Sequence, residues 1–402
     1  MINPRIHEPL IYNIDNKQIY DVTDLDNTEI IDNYTIYPDY KWVNNILASH
    51  TTSHIGHNFC QECTILQHVL YYHFKNVNFA TIGVNINGKL AHLTGSNCGF
   101  PEFNPKVHSL QVYKKVAIGF TYHGSFGHFI NDMVCGLIAL PSNITLDAEI
   151  FIKYDIADAK RFLGHLGFDS TRVHELTDDY IYAKDAYIAC SKAGWNALQI
   201  AWADLRSIFY RRFNLDKIEP MQHSVYNKLE GTWEHVSNID FLLNWSRTTY
   251  PQYNWILYDY WTSRNFTFLA KVVASSKILM IGAGSFVFND IFLHKGCGCY
   301  IFGNTCNDQN VYFSGLTLQL YVVYVASPHF RWHLVQPSEF DVNLYKETIA
   351  DLICAVYKGE WPKDVSKRFR IPFNSEEVYN KYIGMFNGTT NLQITRKKMI
   401  YY

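Results

Sequence analysis

The chain has 402 residues with nearly balanced charge, 35 basic against 37 acidic side chains, and a pI of about 6.8. This length exceeds what one hydrophobic core usually organises, so it predicts two domains. The balanced charge gives no indication of a surface that binds polyanions, which disfavours nucleic acid as a partner.

No apolar run approaches the ~18 residues of a membrane-spanning helix. Residues 1–20 contain Asp, Asn and Lys at short intervals and lack the apolar stretch of a signal peptide. We therefore expect residues 1–20 to be neither a signal peptide nor an anchor, so either the protein is cytosolic or the sequence begins after a removed or differently encoded leader. The nine cysteines are an odd number, too sparse for a disulfide scaffold.

The first half predicts alternating strands and helices after an irregular, polar extension over residues 1–50. Asn87-Gly88 separates two short strand patterns and is a hairpin signal. In chain order we predict strands over 79–86, 89–93 and 112–121, a helix over 133–140, a strand over 148–154, a helix over 157–166 and a strand over 180–189.

An uninterrupted helical pattern over 195–213 predicts a connector, and a second alternation follows it. We predict strands over 223–226, 255–258, 278–281, 299–302 and 316–325, and helices over 240–247, 265–275, 286–293 and 341–358. The alternation predicts an α/β fold with two Rossmann-like halves. The predicted divisions are an N-terminal domain over 1–194, a connecting helix over 195–216 and a C-terminal domain over 217–402.

The most informative segment is a strand followed by a glycine turn and a helix. The apolar run 278–281 is typical of a strand buried on both faces, and Gly282 and Gly284 allow a tight turn after it. A helix that starts at such a turn points its N–H groups at whatever lies above it, which predicts an anion site for a nucleotide phosphate. A tight corner without any ligand is the alternative.

Two motifs resemble glycosyltransferase family 61. They are the segment Gly127-His128-Phe129-Ile130-Asn131-Asp132, and the turn Gly282-Ala283-Gly284 followed by Asn289 and Phe292. The resemblance covers roughly residues 110–305. It implies a GT-B-like fold with two Rossmann-like domains facing a cleft, an inverting and metal-independent transfer, and no cofactor beyond a UDP-sugar donor. It further implies a glycan or glycoprotein acceptor and the lumen of the ER or Golgi.

The resemblance transfers to this chain residue by residue, with departures. Ile281 stands where the family has a histidine before the glycine turn. Lys228 and His235 stand near the positions of two arginines, whereas Asn238 matches the asparagine that follows them. The acidic residue expected after the next strand is missing from 300–303. Because Lys and His lack the bidentate fork of Arg, we expect weaker phosphate binding than in an arginine-bearing relative.

The chemistry of an inverting transfer assigns roles to these residues. A base must take the proton of the acceptor hydroxyl, and Asp132 is the best candidate. His128 lies four residues earlier, so on a helix both side chains share one face. Lys228, His235 and the backbone amides of Gly284 and Ser285 would hold the leaving diphosphate. The alternative is that Asp132 and His128 have a structural role, in which Asp132 caps a helix and His128 packs against the protein.

Four other interpretations compete with this one. A dinucleotide oxidoreductase would use the same turn, but Val287 replaces the third glycine and the ribose-binding acid is missing. His54, His57, Cys60 and Cys63 have zinc-like spacing, yet on one helix the first and last would be ~13.5 Å apart, too far for one ion. Asp24-Leu25-Asp26 is superficially similar to a metal-binding motif of other glycosyltransferases. The altered phosphate residues also leave open a catalytically degenerate protein that binds a glycan or a protein partner.

Overall fold

The computed structural model describes residues 19–21, 28–36, 39–50, 65–81, 83–86, 89–92, 111–119, 124–191, 200–232, 235–259, 261, 265–303, 310–327, 338–370 and 374–386. Contacts divide the chain into two compact units. The first comprises Met1–Thr35, Gln67–Asp204 and Asn391–Tyr402, and the second comprises Ile36–Leu66 and Leu205–Thr390.

The described strands, in chain order, are β1 (Ile19–Asp21), β2 (Thr28–Ile36), β3 (Ile46–Ser49), β4 (Leu66–Ala80), β5 (Gly83–Ile86), β6 (Lys89–His92), β7 (Val112–Gly119), β8 (Glu149–Ile152), β9 (Val173–Glu175), β10 (Ile181–Ser191), β11 (Gln222–Tyr226), β12 (Asn254–Tyr258), β13 (Ser276–Gly282), β14 (Gly298–Gly303), β15 (Tyr321–Ala326) and β16 (Phe369–Arg370).

The described α-helices are α1 (Phe126–His128), α2 (Cys135–Ala139), α3 (Ser142–Thr145), α4 (Ile156–His165), α5 (Ile200–Phe213), α6 (Ile239–Thr249), α7 (Phe266–Ala274), α8 (Asn310–Leu318), α9 (Val342–Lys358) and α10 (Ser375–Phe386). A π-helical turn (Phe129–Val134) joins α1 to α2, and a 3₁₀ helix (Ser285–Phe292) follows β13. Shorter 3₁₀ helices are Tyr40–Asn45, Ser170–Arg172, Leu215–Lys217 and Val365–Lys367.

The first unit is built on a mixed sheet with the strand order β1-β6-β5-β4-β10-β7-β8-β9, and β2 also pairs with β4. The strands β10, β7, β8 and β9 run parallel, whereas β4 to β6 form an antiparallel meander. The hairpin predicted at Asn87-Gly88 is confirmed by the antiparallel pairing of β5 with β6. The core contains apolar side chains of the central strands, among them Phe74, Val116 and Phe151.

The second unit is a parallel sheet with the order β12-β11-β13-β14-β15-β3, to which β16 adds an antiparallel edge. Residues of β14 and β15 are buried throughout, as expected for parallel strands covered on both faces. Helix α9 packs on this sheet. The carboxylate of Asp341 caps its first turn by accepting from the N–H of Leu344 at 2.9 Å, and Gly359 ends it with a φ of 79°.

Several predicted elements are wrong in type or in extent. The predicted strand over 316–325 is the end of α8 followed by β15, and the helix over 286–293 is a 3₁₀ helix. The helix predicted from residue 133 begins at Phe126. Residues 1–50 are not simply an irregular extension, because β3 is a buried strand of the second sheet. The predicted strand over 79–86 is divided between β4, which starts at Leu66, and β5.

The α/β fold class is confirmed by these two sheets and their helices. The division into domains at 1–194, 195–216 and 217–402 stays a prediction; the two units separate between residues 204 and 205, inside α5, and β3 lies with the second unit. None of the helices in the described part of the chain is both long and apolar enough to span a membrane.

Candidate donor and acceptor sites

The order in which the chain adds strands to the second sheet reverses between β11 and β13. From β11 the chain crosses through α6 to β12 on one side, returns through α7 to β13 on the other side, and continues to β14. In open parallel sheets, ligands bind outside the carboxyl ends of the strands at such a topological switch point. Tyr226 ends β11 and pairs with Ile281, one residue before the glycine turn. The predicted donor residues therefore follow two neighbouring strands at this edge.

The glycine turn, predicted as an anion site, is formed by residues 282–284 between β13 and the 3₁₀ helix. Gly282 ends β13, and the N–H of Ala283 donates to the carbonyl of Phe302 at 2.9 Å, so the amide of Ala283 is not offered to a ligand. Gly284 has φ 97° and ψ −161°, a conformation that is essentially restricted to glycine. The carbonyl of Gly284 accepts a hydrogen bond from the N–H of Val287, and this bond closes the first turn of the 3₁₀ helix. The amide of Ser285 lies in the first turn of this helix, where no carbonyl of the helix can reach it.

The 3₁₀ helix beyond the turn is anchored by two buried polar residues. Asn289, a predicted donor-site residue, is 1% exposed, and its amide nitrogen donates to the carbonyl of Phe286 at 2.7 Å, a bond within the 3₁₀ helix itself. Asp290 is equally buried, and one of its carboxylate oxygens accepts from the hydroxyl of Ser314 at 2.6 Å. Burial raises the pKa of Asp290 to about 7, although the bond from Ser314 opposes this shift. The sequence analysis missed Asp290, because only the fold shows that it points into the core.

Lys228 and His235 lie in the segment that follows β11. The Nδ1 atom of His235 is bonded to the backbone carbonyl of Lys228, and since a carbonyl can only accept, Nδ1 carries a proton. Both side chains are half-buried. Asn238 is occupied elsewhere, because its amide group bonds the backbone of Phe340. The structure thus brings Lys228 and His235 together beside the switch point, whereas Asn238 serves a backbone contact.

In the first unit, the candidate base and its partner lie on one helical segment. The Nδ1 atom of His128 is 2.7 Å from Oδ2 of Asp132, and the two side chains are 29% and 21% exposed. The predicted shared face is therefore observed. The alternative, in which Asp132 caps the start of a helix, is not observed, because the helical segment begins six residues earlier, at Phe126. Asp132 lies within the π-helical turn, a rare conformation that is frequent at functional sites.

The surroundings of this pair hold the helical segment close to the sheet. A Cβ atom on Gly119, which ends β7, would lie 3.0 Å from the Cβ atom of Met133 and 3.2 Å from its Cα atom, so glycine allows this close approach. Beside Asp132, the side chain of Asn131 is buried and accepts from the indole N–H of Trp202 at 3.1 Å. The segment is fixed on both sides of the candidate base.

The cysteines and proposed metal motifs add little to these sites. Cys135, Cys297 and Cys299 are buried free thiols, and burial raises the pKa of each, so they are poor nucleophiles at neutral pH. Within the described ranges, no group of three or more His, Cys, Asp or Glu side chains could hold a metal ion. The motifs at 54–63 and 24–26 lie outside the described residues. Independence from metal stays a prediction.

The comparison with protein families identifies the class of the chain. Residues 126–300 match the family model described as Glycosyltransferase 61. The match extends from α1 into β14 and includes every residue predicted for the two sites. The resemblance to glycosyltransferase family 61 seen in the sequence is thereby confirmed over these residues, and it supports a glycosyltransferase in general terms. No match to a curated protein was found.

Proposed function

We propose that the protein is an inverting glycosyltransferase that moves a sugar from a UDP-sugar to a hydroxyl of a glycan or glycoprotein. The observation that carries this proposal is the glycine turn at the switch point between β11 and β13, inside the segment that matches the family. The amide of Ser285 and the ammonium group of Lys228 supply donors and positive charge for a diphosphate, and His235 adds a donor at Nε2 when its ring carries both protons. On the buried side, Asn289 and Asp290 fix the 3₁₀ helix that follows the turn through their bonds to Phe286 and Ser314.

The first unit supplies the second half of the proposed chemistry. Asp132 takes the proton of the attacking hydroxyl, and the hydrogen bond from His128 holds its carboxylate in one orientation. As the acceptor oxygen bonds to the anomeric carbon, the bond from that carbon to the diphosphate breaks. Attack from the face opposite the leaving group inverts the anomeric centre. UDP leaves with the negative charge that the glycine turn and Lys228 stabilise.

A dinucleotide oxidoreductase fits the same turn less well. Val287 occupies the position of the third glycine and is buried, and no acidic residue ends β14 at Phe302 or Gly303. An acidic side chain at that strand end is what would bind the ribose hydroxyls of NAD. This chain therefore has the first two glycines of a dinucleotide-binding turn but lacks the third glycine and the acidic residue that NAD needs.

A catalytically degenerate protein that binds a glycan or a protein is the second candidate. The replacement of two arginines by Lys228 and His235 favours it, since a neutral imidazole contributes little to diphosphate binding. This candidate keeps the fold and the family match but predicts no affinity for a uridine nucleotide.

A thermal-shift screen with UDP, UDP-sugars and NAD separates the three functions. A ligand at 100 times its dissociation constant stabilises a folded protein by about 2.7 kcal/mol. We expect a rise in melting temperature with UDP and at least one UDP-sugar and none with NAD. The absence of a shift with every uridine nucleotide at millimolar concentration would contradict transfer from a UDP-sugar and support the degenerate protein.

A further inference from the structure

Two asparagine side chains bond the backbone in the same way at the carboxyl edge of the second sheet. The amide nitrogen of Asn227 donates to the carbonyl of Val236 at 2.9 Å, and the N–H of Val236 returns a bond to its oxygen at 3.0 Å. Asn238 forms the same pair of bonds with Phe340, both at 2.9 Å. We call these two reciprocal pairs the amide clasps. Each clasp has the pattern of two reciprocal hydrogen bonds between β-strands, except that one partner is a side-chain amide.

The short segment 235–238 is held between the clasps. Val236 is buried and forms a parallel bridge with Ser338. Through this bridge, the N–H of Ser237 donates to the carbonyl of Ser338 at 3.1 Å, and the N–H of Ser338 donates to the carbonyl of His235 at 3.3 Å. The backbone of His235 is therefore fixed from the side of β11 and from the segment that precedes α9.

The first clasp also closes the segment that carries both candidates for binding the diphosphate. Asn227 is the residue after β11, so its bonds to Val236 join the two ends of the stretch 228–235. The bond between the ring of His235 and the carbonyl of Lys228 lies directly inside this closure. The side chain of Asn227 therefore contributes to holding both Lys228 and His235 in place, together with the bridge to Ser338.

We propose that Asn227 and Asn238 are positioning residues that preorganise Lys228 and His235 for the diphosphate of the donor. This inference rests on the proposed function of the same site. Asn is suited to the role because its amide both donates and accepts, whereas Asp can only accept. A segment ordered before binding loses less entropy when the ligand arrives, so the clasps strengthen diphosphate binding without touching it.

The test compares UDP with uridine, which lacks the diphosphate, in the parent and in Asn227→Asp and Asn227→Ala. We expect the dissociation constant of UDP to rise about tenfold or more, the equivalent of one lost charge-assisted hydrogen bond. That of uridine should stay within about twofold, because the clasps act on the phosphate side alone. Asn254→Ala, an exposed position at the opposite end of the sheet, is the control and should change neither constant.

Two outcomes would overturn the inference. UDP affinity equal to that of the parent would show that the clasps do not position Lys228 and His235. Equal losses of affinity for UDP and uridine would show that the variants loosen the whole unit. Asn238→Asp, on the other clasp, gives an independent second variant should the Asn227 variants fail to fold. Failure of the parent to bind UDP would instead contradict the proposed function, so the two failures are distinguishable.

Discussion

His128 and Asp132 form a hydrogen-bonded pair on successive turns of one helical segment, with Nδ1 of the imidazole 2.7 Å from the carboxylate. The π-helical turn that contains Asp132 changes the local spacing, and Asn131 next to it is held by Trp202. A pair of this kind, in which one member fixes the orientation of the other, is the usual arrangement around a general base. The roles of the two residues are therefore separated by comparing a variant of each.

Asp132→Asn keeps the size of the side chain but removes its capacity to accept a proton. We expect sugar transfer to fall by the ~10²–10⁴ typical of lost acid–base catalysis, with donor affinity unchanged. Transfer, donor hydrolysis and UDP affinity are measured on the purified variant. Asp158→Asn, a surface position on α4, is the control and should leave all three unchanged. Transfer at the parental rate would remove Asp132 from the mechanism.

His128→Gln decides which member of the pair takes the proton. Gln can still donate a hydrogen bond to Asp132 but cannot act as a base at neutral pH. If Asp132 is the base, this variant loses clearly less transfer activity than Asp132→Asn. A greater loss in His128→Gln would assign the proton transfer to His128 and leave Asp132 with the orienting role.

Gly284 combines a positive φ with the turn that faces the proposed phosphate. Gly284→Val should abolish UDP binding, because a side chain obstructs the diphosphate and strains a backbone conformation that costs roughly 1–3 kcal/mol outside glycine. Calorimetry gives the affinity, and far-UV circular dichroism confirms the fold. In Gly164→Ala, the control on α4, the new methyl group meets open space, so binding should persist. UDP binding by Gly284→Val at parental affinity would reduce the turn to a corner of the fold.

Lys228→Gln removes the positive charge beside the glycine turn and keeps a side chain of similar length. A hydrogen bond to a charged group contributes about 1.5–3 kcal/mol, so we expect UDP affinity to fall at least tenfold. The dependence of affinity on salt should weaken at the same time. Lys217→Gln, at an exposed position of the same unit, should leave both unchanged. Unchanged affinity in Lys228→Gln would place the diphosphate elsewhere.

Asp290 makes the stability of the folded chain depend on pH. Its pKa in the folded protein is about 7, raised above the usual value of 3.8 by burial. Between these two values the folded state keeps a proton that the unfolded state has lost. This contribution to stability is therefore complete below about pH 4 and disappears as the pH rises through 7, with a slope of at most about 1.4 kcal/mol per pH unit.

Asp290→Asn should remove this part of the pH dependence, because Asn accepts the bond from Ser314 without acquiring a charge. Melting temperatures of parent and variant are compared from pH 5 to pH 8, and the variant should gain on the parent as the pH rises. Asp240→Asn, on the exposed face of α6, should follow the parent throughout. Parallel curves for Asp290→Asn and the parent would show that the carboxyl group does not titrate in this range.

The sequence predicted best those elements that local signals determine. The structure confirms the helix predicted over 341–358, where Asp341 caps the start and Gly359 ends it, and the strand β13, where an apolar run precedes a glycine turn. The segment 316–325 was mistaken for a strand, since its apolar residues suit either a buried helix or a buried strand and only tertiary packing decides between them. The membership of β3 in the second sheet depends on pairing with β15, far along the chain.

The candidate sites divide in the same way. The glycine turn and the spacing of His128 and Asp132 are local, so the sequence reveals them. The clasps of Asn227 and Asn238 and the burial of Asp290 depend on residues up to 102 positions away, which no local pattern contains. Asn238 was consequently assigned to the donor, whereas its amide group bonds Phe340.

Hydrogen–deuterium exchange with and without UDP tests the central claim most directly, because it reports where the nucleotide binds. We predict that UDP slows exchange in peptides that contain residues 227–238 and 282–288, on the two strand ends that flank the switch point. The buried strand β15, two strands away from β13, serves as the internal reference and should not change. Protection that leaves both predicted segments unaffected, or no protection at saturating UDP, would contradict the account.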